Sequence, residues 1–335
     1  MSNPVLAEVL RGPLVESVHR GAVAVADADG AAMLAVGDTA KPVFPRSAVK
    51  ALQAVALVET GAADRYALTD EELALACASH SGEPAHIAGV ERMLAKAGLD
   101  AAALRCGAHW PISQPAAAAL ARTGASAPSA LHNNCSGKHA GFLCLACAEG
   151  LDPADYVRPQ HPVQRAVRAI LEDFSGAVLG EDVCAIDGCS VPTWAVPLDK
   201  LARAFAKFGT GHGVSRDRAA ACARLSAACA QQPWFVAGSG RFCTAIMELF
   251  GARVFVKTGA EGVYCGALPE LGLGIAVKCD DGAGRAAEAV MAGLIARFLP
   301  LKPAEQEALG HFMRPVLRNW NGFEVGALRL TQAVA

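Results

Sequence analysis

The chain has 335 residues, of which 53% are hydrophobic and 19% charged, and its formal net charge is −2. This composition is typical of a globular protein with a large core and excludes a disordered chain. The near-neutral charge and the aromatic content of only 6% indicate no surface for nucleic acid, and no apolar run reaches the 18 or so residues of a membrane span.

The N-terminal segment carries an acidic residue, Glu8, and lacks the uninterrupted apolar stretch of a signal peptide. We therefore expect a cytoplasmic protein. In that compartment the twelve cysteines should be reduced thiols, which either pack as small hydrophobic side chains or serve as metal ligands.

The first elements along the chain are strands. Residues 5–37 alternate in polarity, and residues 27–30 (Asp-Ala-Asp-Gly) predict the turn between strands at 22–25 and 32–36. From residue 47 to about 250 the pattern is mainly helical, with a capping box at Thr69 and Glu72. The predicted helices of this region cover residues 51–58, 73–78, 86–97, 140–149, 163–174, 199–208, 216–230 and 241–250.

The pattern returns to strands at residues 253–257, 262–267 and 273–278, and residues 284–299 predict a closing helix. This order indicates an α/β (α+β) fold in which one antiparallel sheet is built from both chain ends and helices pack beside it. We predict a single domain over residues 1–335. Its sheet lobe would comprise about 1–45 and 251–335, and its mainly helical lobe about 46–250. Serine β-lactamases and transpeptidases have this architecture.

A serine and a lysine stand one helical turn apart at the start of the helical region. Ser47 and Lys50 follow Pro45, and the helix after them is apolar on nearly all sides. A helix-capping serine beside a solvated lysine is the alternative, because Ser-x-x-Lys is common. A lysine at the head of a buried helix is nevertheless costly without a partner or a function. We predict that Ser47 is a nucleophile and that Lys50, when neutral, accepts its proton.

A second motif, Lys257-Thr258-Gly259, comes more than 200 residues later at the end of an apolar strand. Ser-x-x-Lys early and Lys-Thr-Gly late is the order of serine β-lactamases and penicillin-binding proteins. The Ser-Asp-Asn motif of those proteins is absent, and the nearest substitute is Ser79-His80-Ser81. This departure argues against a penicillin-type substrate.

Two further turns place a cysteine among polar residues, at 132–139 and 185–192. Two thiols near an amine, an imidazole or a carboxylate could ligate a soft or borderline metal, and two packed free thiols are the alternative. Gly137 is predicted to belong to the first turn, before the helix at 140–149. The pair Cys144 and Cys147 lies within an apolar run and is expected in the core.

Seven strings of this sequence, in order, resemble those of the bacterial L-asparaginase II family of the Rhizobium etli type, and they extend from about residue 5 to residue 330. They are Arg-Ser-Ala-Val-Lys (46–50), Cys-Ala-Ser-His-Ser (77–81), Arg-Cys-Gly (105–107), Asn-Cys-Ser-Gly-Lys-His (134–139), Asp-Gly-Cys (187–189), Gly-Arg-Phe-Cys-Thr (240–244) and Lys-Thr-Gly-Ala-Glu-Gly (257–262).

The resemblance implies a fold similar to serine β-lactamases and glutaminases, and two Ser-Lys pairs. The first pair matches Ser47 with Lys50, and the second matches Ser79 with Lys257. It further implies one zinc ion per chain and a homodimer. The remaining matched residues are the zinc ligands Cys135, Lys138 and Cys189, and the substrate-binding residues Arg46, His139 and Asp187.

We therefore expect hydrolysis of L-asparagine to L-aspartate and ammonia through an acyl-serine intermediate, with neither nucleic acid nor membrane as a partner. A glutaminase is an alternative, because its pocket needs to be longer by only one methylene. A β-lactam-type serine acylase or hydrolase would use the same Ser-Lys chemistry. A structural zinc protein would explain the cysteines but would leave two serines and two lysines without a function.

Overall fold

The computed structural model describes residues 2–334, which group into two compact units. The sheet unit comprises residues 1–48, 195–213 and 256–335, and the helical unit comprises residues 49–194 and 214–255. The chain enters and leaves each unit more than once, so residues distant in sequence meet within each unit.

The sheet unit is built on an eight-stranded sheet and three helices. Its elements are β1 Val5–Arg11, β2 Leu14–Asp27, β3 Ala32–Val36, β4 Pro42–Val43, β7 Val196–Pro197, α8 Leu198–Thr210, β8 Phe255–Thr258, β9 Val263–Leu268, β10 Leu273–Cys279, α12 Gly284–Phe298, α13 Pro303–Met313, β11 Val316–Arg318 and β12 Glu324–Leu330. The strands of the large sheet follow the order β11-β12-β1-β2-β10-β9-β8, and β3 also pairs with β2. The short strands β4 and β7 pair with each other.

Both chain ends contribute to this sheet, as predicted. Strand β1 pairs antiparallel with β12, and β2 pairs antiparallel with β10 in a register that sets Val23 opposite Val277. Asp27 makes the predicted turn because its Oδ1 accepts the backbone N–H groups of the next turn residues, and Gly30 adopts a φ of +95°. The mixed α/β fold with an antiparallel sheet from both ends is confirmed.

Helix α8 packs on the sheet although it was predicted as part of the helical lobe. It contacts β2, β9 and β10, and a Cβ on Gly274 would lie 2.0 Å from the Ala202 carbonyl oxygen. The absence of a side chain at this position lets the helix backbone lie directly on the strand. Local periodicity identifies a helix but cannot identify the surface on which the helix packs.

The helical unit is organised around one buried helix. Residues 50–57 of α1 are all buried, and α1 contacts α2, α3, α6, α7 and α9. The elements of this unit are α1 Lys50–Glu59, α2 Ala62–Arg65, α3 Asp70–Ala76, α4 Pro84–Lys96, α5 Gln114–Arg122, α6 Ser136–Ala148, α7 Pro162–Ser175, the hairpin of β5 Cys184–Ile186 and β6 Pro192–Trp194, α9 Arg216–Gln231, α10 Pro233–Ala237 and α11 Phe242–Phe250.

Most predicted elements lie within a few residues of their observed bounds. The capping box of α3 is confirmed: the Thr69 side chain accepts the Glu72 N–H, and the Glu72 carboxylate accepts the Thr69 N–H. The sequence prediction did not name α13, β11 and β12, which follow the predicted closing helix. Within residues 2–334, no helix is both long and apolar enough to cross a membrane.

Candidate functional site

The centre of the candidate site is Lys50, the first residue of the buried helix α1. Its ammonium group is completely buried and donates to the Ala78 carbonyl at 2.6 Å, to Ser79 Oγ at 3.0 Å and to the Asn134 carbonyl at 3.3 Å. Three acceptors match the three hydrogens of a lysine ammonium. Two of them are carbonyl oxygens, which can only accept, whereas the Ser79 hydroxyl can also donate to the amine; the Cys135 side chain is a further hydrogen-bonding partner of Lys50.

Ser79 is held in place by the segment that follows helix α3. Its backbone N–H donates to the Val236 carbonyl at 2.9 Å, and only 3% of the residue is exposed. The family-like string at 77–81 therefore forms a buried segment whose hydroxyl is aimed at Lys50.

His80 is a structural neighbour of this pair. Its Nδ1 accepts the Gly82 N–H, so its Nε2–H donates to Ser136 Oγ at 2.9 Å. The Ser136 hydroxyl in turn donates to the Leu131 carbonyl at 2.9 Å. Burial holds the pKa of His80 well below its usual value, so this chain of hydrogen bonds ties two segments of the site together through a neutral ring.

A cluster of two sulfurs and an amine adjoins the Lys50–Ser79 pair. Lys138 Nζ lies 3.0 Å from Cys189 Sγ, and the Cys135 and Cys189 thiols are hydrogen-bonding partners. All three residues are at least 96% buried. The structure therefore brings together the three residues that the resemblance implied as zinc ligands.

The charges in this cluster depend on one another. A hydrogen bond with Cys189 and the positive charges of Lys50 and Lys138 hold the pKa of Cys135 well below its usual value, against the effect of burial. The hydrogen bond to Cys135 and burial raise the pKa of Cys189. For Lys138, burial lowers the pKa, but the electrostatic interactions with the Cys189 and Cys135 sulfurs and the hydrogen bond to Cys189 outweigh burial and raise it. The cluster therefore stabilises a thiolate at Cys135 beside a lysine cation.

Asp187 borders the cluster from a tight turn. The turn is closed by hydrogen bonds from Ser190 N–H to the Asp187 carbonyl and from Asp187 N–H to the Val191 carbonyl. Ser190 has a φ of +75°, an uncommon conformation for a residue with a side chain. The Asp187 carboxylate accepts from the Cys189 thiol at 3.5 Å, so the turn places a carboxylate directly beside a candidate metal ligand.

The start of helix α6 differs from the prediction. The helix begins at Ser136, and Gly137, Lys138 and His139 belong to its first turn instead of the preceding loop. Gly137 is a packing residue, because a Cβ there would lie 2.3 Å from the Leu75 carbonyl oxygen. The prediction that Gly137 belongs to the turn was wrong, since close helix packing and a flexible turn both require glycine.

His139 contacts a residue that the sequence did not reveal. Its Nδ1 lies 2.6 Å from the Tyr156 hydroxyl oxygen. The same oxygen accepts a hydrogen bond from the Arg105 backbone N–H at 2.9 Å. Burial, together with the charges of Lys138 and Lys50, holds the pKa of His139 well below its usual value. Tyr156 lies outside all seven strings and outside any recognisable motif, so no sequence signal singled it out.

The remaining candidates lie in the sheet unit. Ser47 and Arg46 are half-buried in a 3₁₀ turn, residues 46–49, that leads into α1. Arg46 has a φ of +52°, a strained conformation of the kind that occurs at functional sites. Lys257 is completely buried on β8 and donates to the Thr258 carbonyl at 3.1 Å. The pairing of Ser79 with Lys257 stays a prediction.

Among residues 2–334, no three His, Cys, Asp or Glu side chains are grouped as a metal-binding set. At the cysteine cluster, the third ligand that the resemblance implies is the Lys138 amine, and the Asp187 carboxylate lies beside Cys189 as well. Of the other cysteines, Cys144 is buried and Cys147 is partly exposed, and both are free thiols within α6.

Comparison with known proteins supplies the family. No curated protein sequence matches the chain. Solved structures similar to it include a β-lactamase from Mycobacterium bovis, at 17% identity with 87% of this chain and 94% of that chain covered and a TM-score of 0.41. They also include the protein Mglu, at 18% identity with 80% of this chain and 64% of that chain covered and a TM-score of 0.35. The chain thus spans less than two thirds of Mglu.

The sequence match to a family is far more extensive than these structural likenesses. The family model described as L-asparaginase II matches residues 7–330, which is nearly the whole chain. The matched region contains all the candidate residues described above. The chain belongs to the L-asparaginase II family and is an asparaginase-type amidohydrolase.

Proposed function

We propose that this protein hydrolyses L-asparagine to L-aspartate and ammonia through an acyl-serine intermediate formed by Ser-Lys chemistry. The observation that carries the proposal is the buried Lys50 amine, which is held between two carbonyl oxygens and the Ser79 hydroxyl. Amide hydrolysis needs a nucleophile and a group that accepts a proton and later delivers it to the departing ammonia. A buried lysine hydrogen-bonded to serine supplies the second requirement.

The three contacts of Lys50 also fit its proposed role as the proton acceptor. A neutral amine has two hydrogens and one lone pair, and the Ala78 and Asn134 carbonyls can use both hydrogens. The lone pair would then face Ser79, whose hydroxyl would donate to it. Loss of a proton from the ammonium thus reverses one hydrogen bond and leaves the other two in place.

Ser47 is the proposed nucleophile, with Ser79 as a proton relay. Ser47 is half-buried, and Ser79 is almost inaccessible. A hydroxyl that attacks a substrate must be reachable, whereas a relay is better protected from water. In this scheme the Ser47 hydroxyl gives its proton to the relay of Ser79 and neutral Lys50 as its Oγ bonds to the side-chain amide carbon of asparagine. The C–N bond then breaks, and the leaving nitrogen takes that proton from the relay and departs as ammonia. Water then hydrolyses the β-aspartyl ester and releases aspartate.

Substrate binding is assigned to charged side chains that the family resemblance implies. Arg46 is a suitable partner for the α-carboxylate and Asp187 for the α-amino group, because charge-assisted hydrogen bonds fix a zwitterion most firmly. His139 would contribute a neutral hydrogen-bonding group. Lys257 is proposed as the second lysine, paired with Ser79.

The cysteine cluster fits a zinc ion. A thiolate at Cys135, a second sulfur at Cys189 and the Lys138 amine provide the sulfur and nitrogen donors that zinc prefers, and binding would require loss of the lysine proton. When bound, the ion would supply a fixed positive charge that shapes the pocket and favours an anionic substrate group. Zinc need not generate the nucleophile, since Ser47 is assigned that role.

One assay separates the candidate activities. Purified protein is incubated with L-asparagine, L-glutamine or a chromogenic β-lactam, and ammonia release or ring opening is measured. We expect ammonia from asparagine. Release from glutamine alone would favour a glutaminase, ring opening would favour a β-lactam hydrolase, and no turnover with any of the three would contradict the proposed function.

Three variants test the proposed residues. Ser47→Ala and Lys50→Met should each lower kcat at least about a thousandfold, because they remove the nucleophile and the proton acceptor. Ser81→Ala is the matched control, since Ser81 is a buried serine of the same 77–81 segment and donates to the Ala237 carbonyl. Activity of Ser47→Ala above about a tenth of wild type would make Ser79 the nucleophile, and an aspartyl adduct in the intact mass of slow variants would confirm the acyl-enzyme.

A further inference from the structure

His139 has one ring nitrogen without a partner in the protein. The residue is completely buried, and its Nε2 makes no hydrogen bond to any residue between 2 and 334. A buried polar atom left unpaired is costly, and such atoms in folded proteins usually have a ligand or a functional role.

The contacts of Tyr156 determine which proton His139 carries. The Tyr156 oxygen accepts the Arg105 backbone N–H at 2.9 Å, and its only other hydrogen-bonding contact within residues 2–334 is His139 Nδ1 at 2.6 Å. The phenol hydrogen therefore has a single acceptor, the Nδ1 lone pair. An imidazole whose Nδ1 accepts a hydrogen bond carries its own hydrogen on Nε2.

The Nε2 hydrogen of His139 lies close to residues of the proposed active site. The residue follows Lys138 directly in the first turn of α6, and both Lys138 and Lys50 act on it electrostatically. The ring is thus close to Lys138 of the cysteine cluster and to Lys50, two residues that the proposed function assigns to the site.

We propose that Tyr156 is a positioning residue that holds His139 in the Nε2–H tautomer, so that His139 donates a hydrogen bond to a carboxylate or amide oxygen of the substrate. This inference rests on the proposed function and adds a residue to it. In the other tautomer Nε2 would present a lone pair to that oxygen, and attraction would become repulsion.

The tautomer can be measured without activity. Long-range ¹H–¹⁵N spectra of histidine-labelled protein distinguish a protonated Nε2 from a protonated Nδ1, with His139→Gln identifying the His139 signals. We expect Nε2–H in wild type and a shift toward Nδ1–H in Tyr156→Phe, which keeps the ring but loses the hydroxyl. A protonated Nδ1 in wild type, or an unchanged tautomer in Tyr156→Phe, would overturn the proposal.

A double-mutant cycle tests the path from Tyr156 to the substrate. The glutamine of His139→Gln can place an amide N–H near the Nε2 position without needing a tautomer. Tyr156→Phe alone should lower kcat/KM for asparagine about tenfold, the size of one lost hydrogen bond to a charged group. In the His139→Gln background the same substitution should have no further effect.

Two outcomes distinguish a failure of the positioning role of Tyr156 from a failure of the proposed function. An equal loss from Tyr156→Phe in both backgrounds would mean that Tyr156 only supports the fold, and the positioning role would be wrong. If wild-type protein released no ammonia from asparagine, the proposed function would fail, whereas the dependence of the His139 tautomer on Tyr156 would still be read from the spectra.

Discussion

At the scale of single residues, two buried lysines differ because their partners differ. Lys50 donates to three oxygens, two of them carbonyls. Lys138 faces sulfurs whose electrostatic interactions with it raise its pKa despite burial. The first arrangement favours exchange of a proton with a serine. The second favours a cation in the absence of metal and an amine ligand in its presence, because a nearby dication promotes loss of the lysine proton.

Removal of Cys135 should remove the metal. We expect about one zinc ion per wild-type chain and none in Cys135→Ala, since two protein ligands rarely retain zinc. The KM for asparagine should rise more than kcat falls, as expected when an interaction contributes equally to the bound substrate and the transition state. Elemental analysis and steady-state kinetics measure both effects.

Cys144→Ala is the control for that variant, because Cys144 is a buried thiol of helix α6, which begins directly after Cys135. The Cys144 thiol donates to the Met93 carbonyl and lies outside the cluster. It should keep its zinc. Zinc retained by Cys135→Ala would contradict the ligand assignment, and a collapse of kcat with unchanged KM would make the metal catalytic.

At the scale of elements, helix α3 precedes the Ser79 segment and begins at a capping box. Replacement of the cap, Thr69→Ala, should lower the free energy of unfolding by about 1 kcal/mol, because the N–H of Glu72 loses its acceptor. Thr69→Ser keeps the hydroxyl and should remain close to wild type. Urea denaturation of the three proteins measures the difference, and equal stability of Thr69→Ala and Thr69→Ser would show that the cap contributes nothing.

The close contact between α8 and β10 depends on Gly274, which has no side chain. Gly274→Ala would place a Cβ 2.0 Å from the Ala202 oxygen and 2.3 Å from the Ala206 nitrogen. Both atoms are backbone, so the helix must move, and we expect a loss of at least about 2 kcal/mol or failure to fold.

Gly310→Ala provides the contrast within the same unit. Gly310 lies inside α13, and a Cβ there would have nothing within 4 Å. This substitution should raise the free energy of unfolding by about 0.5–1 kcal/mol through helix propensity. Similar unfolding midpoints for both alanine variants would show that the sheet unit accommodates the added methyl group.

At the scale of the whole molecule, buried histidines make stability depend on pH. Burial lowers the pKa of His86 from 6.5 to about 4. Between these values the unfolded chain therefore binds a proton more readily than the folded protein. The part of the stability that depends on a neutral His86 is fully present above about pH 6.5 and is lost as the pH falls toward 4. His86 alone should account for a loss on the order of 3 kcal/mol, at about 1.4 kcal/mol per pH unit.

His86→Gln should remove this part of the dependence. Unfolding free energies measured at several pH values between 4 and 7 should decrease less steeply with falling pH in the variant than in wild type. The difference between the two slopes corresponds to at most one bound proton and does not depend on the absolute stability of the variant. His80, whose pKa is also lowered by burial, contributes in the same direction and remains in both proteins. Identical slopes would show that His86 titrates normally in the folded protein.

The assembly of the protein stays a prediction. A homodimer is implied by the resemblance to the asparaginase family, and sedimentation equilibrium would measure the mass in solution. A species of one chain mass, 34.4 kDa, at micromolar concentration would contradict it.

The sequence by itself determined features that depend on short separations. The Asp27 turn and the Thr69–Glu72 capping box both arise from contacts within four residues along the chain. The order of the seven strings was enough to indicate the family that the sequence match confirmed over residues 7–330.

Only the tertiary structure decided which of these groups meet. Lys50 reaches Ser79 across 29 residues, Lys138 reaches Cys189 across 51, and Tyr156 fixes the ring of His139 across 17. Such contacts follow from how helices and loops pack, as the role of Gly137 against the Leu75 carbonyl illustrates. Packing depends on the joint shape of many residues distant in sequence, so no local spacing encodes it.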